Sequence, residues 1–487
     1  MNYREYDSDQ TQLFGYKPED VLPDDHLTYL IDEMVENLDL KEFYDFTPGA
    51  GNPAYDPRLM LKVFFLGYAT GVFSSRKLQQ QCQENLAFIH LTRGQRPKFR
   101  AICEFRVRYQ EKIKKLFPQM LQIAKRLNIL RLGRLILDST KIRAFASAQR
   151  VVRADKYDEV LKSIDDYLKH AQTQDLEEDQ AYGEESTGQE LPQQLHSKIR
   201  RVQKLKEIIE EAKRESLKYI NTTDPEAKFI KDTNTNKIKP SYNVQVALDA
   251  ESGLIVAYKT TNTPDDQEHL EPMVEKAEEN TGLKPKEVDA DSGYYSNACV
   301  GSLEKQGIDT CIPDSNTAAC IHKGEDIKSD KSSPKYTQDK FQYCPEEDIY
   351  ICPQQKKLIY RKEKKLAHKT VKEYSCIETC SSCPDKAKCL THPQAKHRTL
   401  VVDPEHETLL LTQEKFKKEE YQQRYKERGG FIERVFGHFK KNLKFTQFQL
   451  RGRIKTDMET ALLCIGFNLL VMKPWVIIEA IEGIFTM

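Results

Sequence analysis

Apolar side chains fall three and four positions apart over much of residues 1–130. This spacing is typical of helices that bury one face. Asp56 and Pro57 stand ahead of one apolar run and predict the N-cap and first position of a helix. A turn near Gly71 and a further helix from about Pro97 give a helix-turn-helix-like order. We therefore predict an all-α N-terminal domain.

The periodicity changes to that of strands after residue 130. The apolar run 135–137 is followed directly by Asp138, which predicts a short buried strand that ends in a carboxylate. Residues 242–260 alternate around a turn at 251–253 and predict a β-hairpin. Residues 286–291 predict one more strand. A second domain of mixed α/β character follows from this pattern.

Two stretches interrupt the second domain. Residues 151–222 contain an acidic run, which we expect to be disordered. The run precedes a long charged helix whose apolar seam predicts a helical hairpin or a coiled coil. The second stretch is basic and rich in cysteine. The predicted division is an N-terminal domain at 1–130, a core at 131–150, 223–315 and 401–487, and insertions at 151–222 and 316–400.

Composition limits the class of protein. A chain of 487 residues exceeds what one hydrophobic core usually holds, so several domains are expected. Lys+Arg and Asp+Glu balance at 75 each, so a nucleic-acid surface must be a local patch. Residues 1–18 lack the apolar stretch of a secretory signal, and the apolar run 461–472 is shorter than the roughly 20 residues that a bilayer requires. We expect a core helix there, and a cytosolic protein without membrane contact.

Positive charge is concentrated in two stretches. Residues 98–115 carry seven Lys or Arg against two Glu, and Arg106 and Arg108 are candidates there for contacts with DNA phosphates. Residues 356–372 carry eight Lys or Arg against one Glu, and the candidates in that stretch are Lys364 and Lys365. The alternative interpretations are a solvated helix face and a solubilising loop.

Three acidic residues stand where a two-metal site for phosphoryl transfer would need them. Asp138 follows a buried strand, Asp291 closes another strand, and Glu433 lies on a predicted helix. Hard cations such as Mg²⁺ require carboxylate oxygens, and two such cations stabilise the attacking and leaving oxygens. Strand alternation puts Asp289 on the same side as Asp291, so the choice between them stays open.

The predicted helix that carries Glu433 also places Gly437 and Lys440 on the same stripe, across which a DNA phosphate could lie.

Three segments resemble the catalytic blocks of insertion-sequence DDE transposases. They read DSTKIRAFAS, DADSGYYS and YKERGGFIERVFGHFKKN. In the third block the residues that match the family's signature are Tyr425, Arg428, Glu433 and Lys440, of which Tyr425, Arg428 and Lys440 are the candidates for contacts with DNA. Four residues separate Arg428 from Glu433, where the common form of the signature has three. The N-terminal stretch also resembles the helical domain of these transposases, and residues 151–222 match least.

The resemblance implies an RNase H-like core, a mixed sheet flanked by helices, with Asp138 and Asp291 on neighbouring strands and Glu433 on a later helix. It implies two Mg²⁺ or Mn²⁺ ions, cleavage at the ends of the element, and attack of the freed 3′-hydroxyl on target DNA. The partners would be the terminal inverted repeats and target DNA. A homodimer is expected, because two element ends must be held together. Two alternatives stay open: an inactive transposase that only binds DNA, and an RNase H-like nuclease that cuts without joining.

Six of the 12 cysteines lie between residues 344 and 389 of the second insertion, and His392 and His397 follow them. In a chain without an export signal this clustering favours metal over disulfide bonds. The four thiolates predicted to hold a tetrahedral structural zinc are Cys352, Cys380, Cys383 and Cys389, with Cys344 and Cys376 as spare candidates. The segment resembles the cysteine-bearing insertion of the eleven-eighty-two group of these transposases. Reduced thiols in a loop-rich subdomain are the alternative. A catalytic zinc is disfavoured, because the mixture of His and carboxylate ligands is missing.

Overall fold

The computed structural model describes most of the chain. The described residues are 21–45, 54–147, 150–168, 193–231, 238–327, 336–365, 370–376, 380, 382–390, 394–403 and 406–475. Residues 1–18, the acidic run of the first insertion and His392 lie outside the described residues, and the expectations about them stay predictions. Among the described residues, no helix combines the length and the apolar character needed to cross a membrane.

The N-terminal part is helical, as predicted. Its helices are α1 (Leu27–Glu36), α2 (Pro57–Thr70), α3 (Ser75–Glu84), α4 (Leu86–Leu91), α5 (Phe99–Arg108), α6 (Gln110–Lys114) and α7 (Leu116–Arg126). Asp56 caps α2 by accepting a hydrogen bond from the backbone of Arg58, and Pro57 stands in the first turn. The predicted basic helix is interrupted at Tyr109, which separates α5 from α6 and packs its ring against Phe43 and Phe105.

A six-stranded mixed sheet follows. Its strands are β1 (Arg134–Arg143), β4 (Lys228–Lys231), β5 (Ile238–Asp249), β6 (Ile255–Thr261), β7 (Glu287–Ala290) and β8 (Asp309–Cys311). The order is β4-β5-β1-β7-β8, with β6 also beside β5. β1, β7 and β8 are parallel, whereas β5 is antiparallel to its partners. The predicted hairpin is confirmed as β5 and β6. A mixed sheet with flanking helices is consistent with the RNase H-like core that the resemblance implies.

The prediction that the first strand ends at Asp138 is wrong. β1 continues to Arg143, because residues 138–143 pair with β5. The parallel partner β7 stops earlier, where Ala290 lies opposite Leu137. Asp138 therefore lies at the point where β1 loses one of its two neighbours, which opens that side of the strand.

Helices pack around this sheet. They are α10 (Leu270–Thr281), α11 (Asn297–Lys305), α12 (Ser315–Lys323), α14 (His406–Phe416), α15 (Glu419–Gly437) and α16 (Arg453–Met472). The expected core helix at 461–472 is confirmed as the buried second half of α16. α16 packs against both α2 and β6. The approach to α2 is so close that a Cβ on Gly466 would lie 2.7 Å from the backbone nitrogen of Ala69.

One buried cluster runs continuously from the N-terminal helices into the sheet. A polar contact crosses the same boundary: the buried carboxylate of Glu459 on α16 accepts a hydrogen bond from Tyr68 at 2.9 Å and lies 3.7 Å from the guanidinium of Arg106. The helices before residue 130 and the sheet thus share one core. The domain boundary at that residue stays a prediction.

The first insertion is a helical hairpin on a two-stranded base. β2 (Val151–Arg153) pairs with β3 (Tyr219–Asn221), and helix α8 (residues 157–168) packs beside α9 (Gln193–Arg214). A small core of its own joins them through Tyr157, Ile164, Ile209, Ala212 and Ile220. Two members of this core, Ile209 and Ala212, belong to the predicted seam, and of the two arrangements expected the structure shows the hairpin.

The second insertion contains a five-stranded antiparallel sheet with a separate core. Its strands are β9 (Gln342–Cys344), β10 (Ile349–Ile351), β11 (Lys357–Lys365), β12 (Thr370–Cys376) and β13 (Thr399–Val402). A short helix, α13 (Lys386–Cys389), precedes β13. The alternative interpretation of the basic stretch 356–372 as a loop is wrong, because most of it forms the paired strands β11 and β12.

Candidate active site

Asp138 and Asp291 lie side by side at one edge of the mixed sheet. Asp138 is on β1, and Asp291 directly follows β7, its parallel neighbour. Each residue stands one position beyond the last paired residues of the two strands, Leu137 and Ala290. The side chain of Asp138 is 26% exposed and that of Asp291 is 47% exposed. The sheet thus brings two of the three predicted carboxylates together.

Helix α15 covers these carboxylates with two residues of the signature. The guanidinium of Arg428 lies 3.3 Å from Asp138 and 3.6 Å from Asp291. The hydroxyl of Tyr425 donates to Asp291 at 2.8 Å, and its ring lies against Arg428. Within the described residues the buried Nε of Arg428 has no hydrogen-bond partner. Both residues that the sequence assigned to DNA contacts therefore touch the candidate metal ligands in this structure.

Opposing effects act on the pKa of the Asp138 carboxyl. Burial is the largest effect and raises the pKa of its carboxyl, because the charged form loses hydration. Arg428 acts in the opposite direction, whereas the nearby charges of Asp291 and Asp266 add to the rise in pKa. A group of carboxylates that disfavour one another's ionisation is stabilised by a cation, so the site favours binding of positive charge.

Asp289 is distinguished from Asp291 by its partners. Both side chains face α15, as strand alternation predicts. Asp289 is fully buried and forms ion pairs of 2.6 Å with Arg134 and with Arg424. Two arginines already neutralise this carboxylate. Separating a buried carboxylate from such partners costs free energy. Asp291 is the more exposed of the two and the better candidate for a cation ligand.

Glu433 is not brought to the other two carboxylates. It is exposed on α15, five positions after Arg428 and so about 140° further around the helix. It makes no hydrogen bond or ion pair with any described residue. Among the described residues, no three His, Cys, Asp or Glu side chains are arranged so that they could hold a metal ion.

The stripe expected to join Glu433 to Lys440 is also interrupted. α15 ends at Gly437, and His438–Asn442 forms a turn of π-helix. Its wider turn shifts Lys440, which is half-buried, away from the α-helical register. The prediction of one continuous stripe is wrong for this reason.

Buried polar residues beside Asp138 were missed by the sequence interpretation. The backbone of Ser139 donates to the carboxylate of Asp138 at 2.7 Å. Asn243 and Gln245 on β5 are fully buried and both donate to Asp266. A signal for the two amides was present, because they alternate with valines in the stretch 242–248, which is otherwise apolar. No comparable signal distinguishes Asp266 from other acidic residues.

The donor chemistry of Asp138 and Asp291 fits a hard divalent cation. Carboxylate oxygens, together with retained waters, are the ligands that Mg²⁺ and Mn²⁺ take in proteins. Arg428 now supplies positive charge between the two carboxylates. A cation that binds both carboxylates would replace part of that charge and leave the guanidinium available for a phosphate.

The residues predicted to contact DNA differ in their exposure to solvent. Arg106 is only 3% exposed and donates hydrogen bonds to the hydroxyl of Tyr68 and the carbonyl of Phe73. The expectation that it reaches DNA phosphates is wrong, because its side chain points into the core toward Glu459. Arg108, by contrast, is exposed at the end of α5. Lys364 and Lys365 are exposed at the end of β11.

Five cysteines of the second insertion line a small cavity. Its lining includes Cys352, Cys376, Cys380, Cys383 and Cys389, together with Arg398. Burial raises the pKa of Cys389 to about 11, and three neighbouring thiols, those of Cys380, Cys352 and Cys383, contribute to the rise. The four thiols predicted as ligands are therefore neighbours. Cys376 shares the cavity, whereas Cys344 lies on β9 outside its lining.

Comparison with known families gives two matches. Residues 351–473 match the transposase DDE domain, and residues 16–108 match a transposase domain (DUF772). The first range contains α15 and the cysteine cavity, whereas Asp138 and Asp291 lie outside both ranges. No curated protein and no solved structure matches the chain. Together the two matches support an insertion-sequence DDE transposase.

Proposed function

We propose that this transposase cleaves DNA at the ends of its element and joins the freed 3′ ends to target DNA, with Asp138, Asp291 and Glu433 as ligands of two Mg²⁺ or Mn²⁺ ions. The observation that carries the proposal is the meeting of Asp138 and Asp291 on neighbouring strands beneath Arg428. The two family matches support the reaction class.

Bound divalent cations would stabilise the attacking and leaving oxygens of an in-line displacement at phosphorus. The side chains around them would orient the carboxylates. Tyr425 fixes Asp291 by its hydrogen bond, and the backbone of Ser139 fixes Asp138. Arg428 would pair with a DNA phosphate, because its planar guanidinium suits two parallel hydrogen bonds to phosphate oxygens.

Glu433 is proposed as the third ligand because of its place in the signature. Its exposed position requires a change in α15 before it can reach the other two carboxylates. We propose that the part of α15 that follows Arg428 shifts when DNA and cations bind, while Tyr425 and Arg428 stay beside the two aspartates. The π-helical turn His438–Asn442 at its end is suited to such a change, because turns of this kind occur inside helices mostly at functional sites.

DNA would be held by basic residues on several elements. We propose contacts from Arg108, Lys364, Lys365 and Lys440, together with Arg428 and Tyr425 near the reacting phosphate. A homodimer is proposed because two element ends must be cut in a coordinated way. The site of action would be the bacterial cytosol, where the DNA lies.

A structural zinc ion is proposed for the cysteine cavity, with Cys352, Cys380, Cys383 and Cys389 as ligands. Support comes from the thiol chemistry, which suits Zn²⁺, and from the four side chains that share one cavity. The proposal requires a small rearrangement of the thiols, since the described residues do not form a complete metal-binding group. Such a site would stabilise the β9–β13 sheet.

The function is tested by incubating the purified full chain with Mg²⁺ or Mn²⁺, labelled DNA that carries the element ends, and a target plasmid. Joined products from the wild type, but not from Asp138→Ala, support the proposal. Cleavage without joining would instead support a nuclease. Binding of the ends without either reaction would show an inactive DNA-binding protein.

A further inference from the structure

Asp266 is a carboxylate without an assigned role that lies in the loop between β6 and α10. Its Oδ1 accepts hydrogen bonds from Asn243 at 2.8 Å and from Gln245 at 2.6 Å, and its Oδ2 accepts one from Ser139 at 3.1 Å. The side chain is 17% exposed, and both amide donors are fully buried. Three donors on two strands therefore hold this carboxylate in one orientation.

The Asp266 network reaches Asp138 in two steps. Ser139 donates its side-chain hydroxyl to Asp266 and its backbone N–H to Asp138, the latter at 2.7 Å. A single residue thus connects the two carboxylates. Asp266 thus restrains the hydroxyl of Ser139, whose backbone N–H in turn restrains the carboxylate of Asp138.

The network reaches Asp291 by another route. Gln245 accepts a hydrogen bond from the hydroxyl of Tyr294 through its Oε1, while its amide nitrogen donates to Asp266. Tyr294 is buried in the short turn that begins at Asp291, and its backbone N–H donates to the carbonyl of Asp291 at 3.0 Å. Asp266 is therefore connected to both candidate metal ligands by hydrogen bonds, through Ser139 on one side and through the buried Gln245 and Tyr294 on the other.

The negative charge of Asp266 is unfavourable at this position unless cations bind nearby. A partly buried carboxylate loses hydration, and the nearest cation, Lys141, lies at 3.6 Å. An asparagine could occupy the same place and exchange hydrogen bonds with the same neighbours without that loss. Keeping a third negative charge beside Asp138 and Asp291 is favourable where cations bind, because their charge offsets the repulsion among the carboxylates.

We propose that Asp266 is a positioning residue of the cation site and that its charge strengthens cation binding. Asp266 orients Asp138 through Ser139, and it orients Asp291 through Gln245 and Tyr294. This inference rests on the proposed function, since it assumes that the two aspartates bind divalent cations. Hydrogen-bond partners of metal ligands typically contribute 10- to 100-fold to metal affinity or activity.

The test compares wild type, Asp266→Asn and the neighbouring control Asp265→Asn. Asp265 accepts a hydrogen bond from the backbone of Gln267. Mn²⁺ binding is measured by titration calorimetry without DNA, the unfolding midpoint by thermal denaturation in EDTA, and cleavage across a series of Mg²⁺ concentrations.

We expect Asp266→Asn to weaken Mn²⁺ binding by about 10- to 100-fold, to require correspondingly more Mg²⁺ for cleavage, and to keep the unfolding midpoint of the wild type. Asp265→Asn should match the wild type in all three measurements. Wild-type Mn²⁺ affinity in Asp266→Asn would overturn the inference while leaving the proposed function intact. A wild type that binds Mn²⁺ but does not cleave DNA would overturn the function, and the affinity comparison would still decide the inference. A wild type that does not bind Mn²⁺ would overturn both.

Discussion

The guanidinium of Arg428 lies 3.3 Å from the carboxylate of Asp138, although 290 positions separate the two residues in the chain. This contact joins a late helix to the first strand of the mixed sheet. It also places a permanent positive charge beside a carboxylate whose ionisation burial disfavours. The pair is thus a direct link between the signature on α15 and the aspartates on the sheet.

Glu433→Gln should reduce strand cleavage to background and leave binding of the element ends within about twofold of the wild type, because binding depends on phosphate contacts and not on the metal ligands. Glu420→Gln, a change of another exposed residue on the same helix, is the matched control and should keep full cleavage. Cleavage rates and gel-shift affinities measure the two effects. Full cleavage by Glu433→Gln would exclude it as the third ligand.

Asp138→Asn should abolish cleavage and yet stabilise the cation-free protein. The pKa of Asp138 is raised by burial, so the folded state disfavours its ionised form. The wild type therefore loses stability as pH rises through this raised pKa, whereas the asparagine variant does not. Thermal denaturation in EDTA between pH 5 and 8 should show a higher midpoint for the variant, with a gap that does not shrink toward pH 8. A lower midpoint for the variant at pH 8 would contradict the account.

Arg106→Ala should affect the stability of the protein, whereas Arg108→Ala should affect its binding of DNA. The first leaves the buried carboxylate of Glu459 without its arginine and should lower the free energy of unfolding by about 3–5 kcal/mol. The second removes an exposed side chain, so stability should change by less than about 0.5 kcal/mol. Only Arg108→Ala should weaken DNA binding in the folded state and reduce its salt dependence. Urea denaturation and salt-dependent binding separate the two, and equal stability losses would contradict the burial of Arg106.

Zinc should be present at one ion per chain in protein purified without chelators. Cys383→Ser should lose this zinc and destabilise the β9–β13 sheet, whereas Cys103→Ser, a change of an exposed cysteine on α5, should retain both. Elemental analysis measures the metal, and hydrogen exchange of residues 342–402 measures the local stability. A zinc-free wild type with a protected sheet would refute the zinc proposal and favour reduced thiols.

Local patterns predicted several elements correctly. The cap at Asp56 and the hairpin of β5 and β6 depend on neighbours in sequence, so periodicity and turn residues reveal them, whereas the apolar seam in the first insertion left a helical hairpin and a coiled coil open. The extension of β1 beyond Asp138 was missed. It depends on pairing of residues such as Asp138 with Val246, which no local pattern shows.

The candidate site, too, could be predicted from the sequence only in part. Asp138 and Asp291 could be selected because each closes a stretch with the pattern of a strand, but the partners of Asp289 that distinguish it from Asp291 come from β1 and α15. Arg106 belonged to a basic stretch, and only its buried contact with Glu459 on α16 shows that it faces the core. Asp266 is one acidic residue among 75, and only contacts with β1 and β5 indicate its connection to the site.

The central claim, that Asp138 and Asp291 bind the cations used in cleavage, is tested most directly by exchanging the ligand atom. Asp291→Cys replaces a hard carboxylate with a thiolate, which accepts Mn²⁺ or Cd²⁺ more readily than Mg²⁺. We predict that this variant cleaves element-end DNA at background level in Mg²⁺ and regains cleavage in Mn²⁺ or Mn²⁺ with trace Cd²⁺, whereas Asp291→Ala stays inactive in every metal. Undiminished cleavage by Asp291→Ala in Mg²⁺ would contradict the claim.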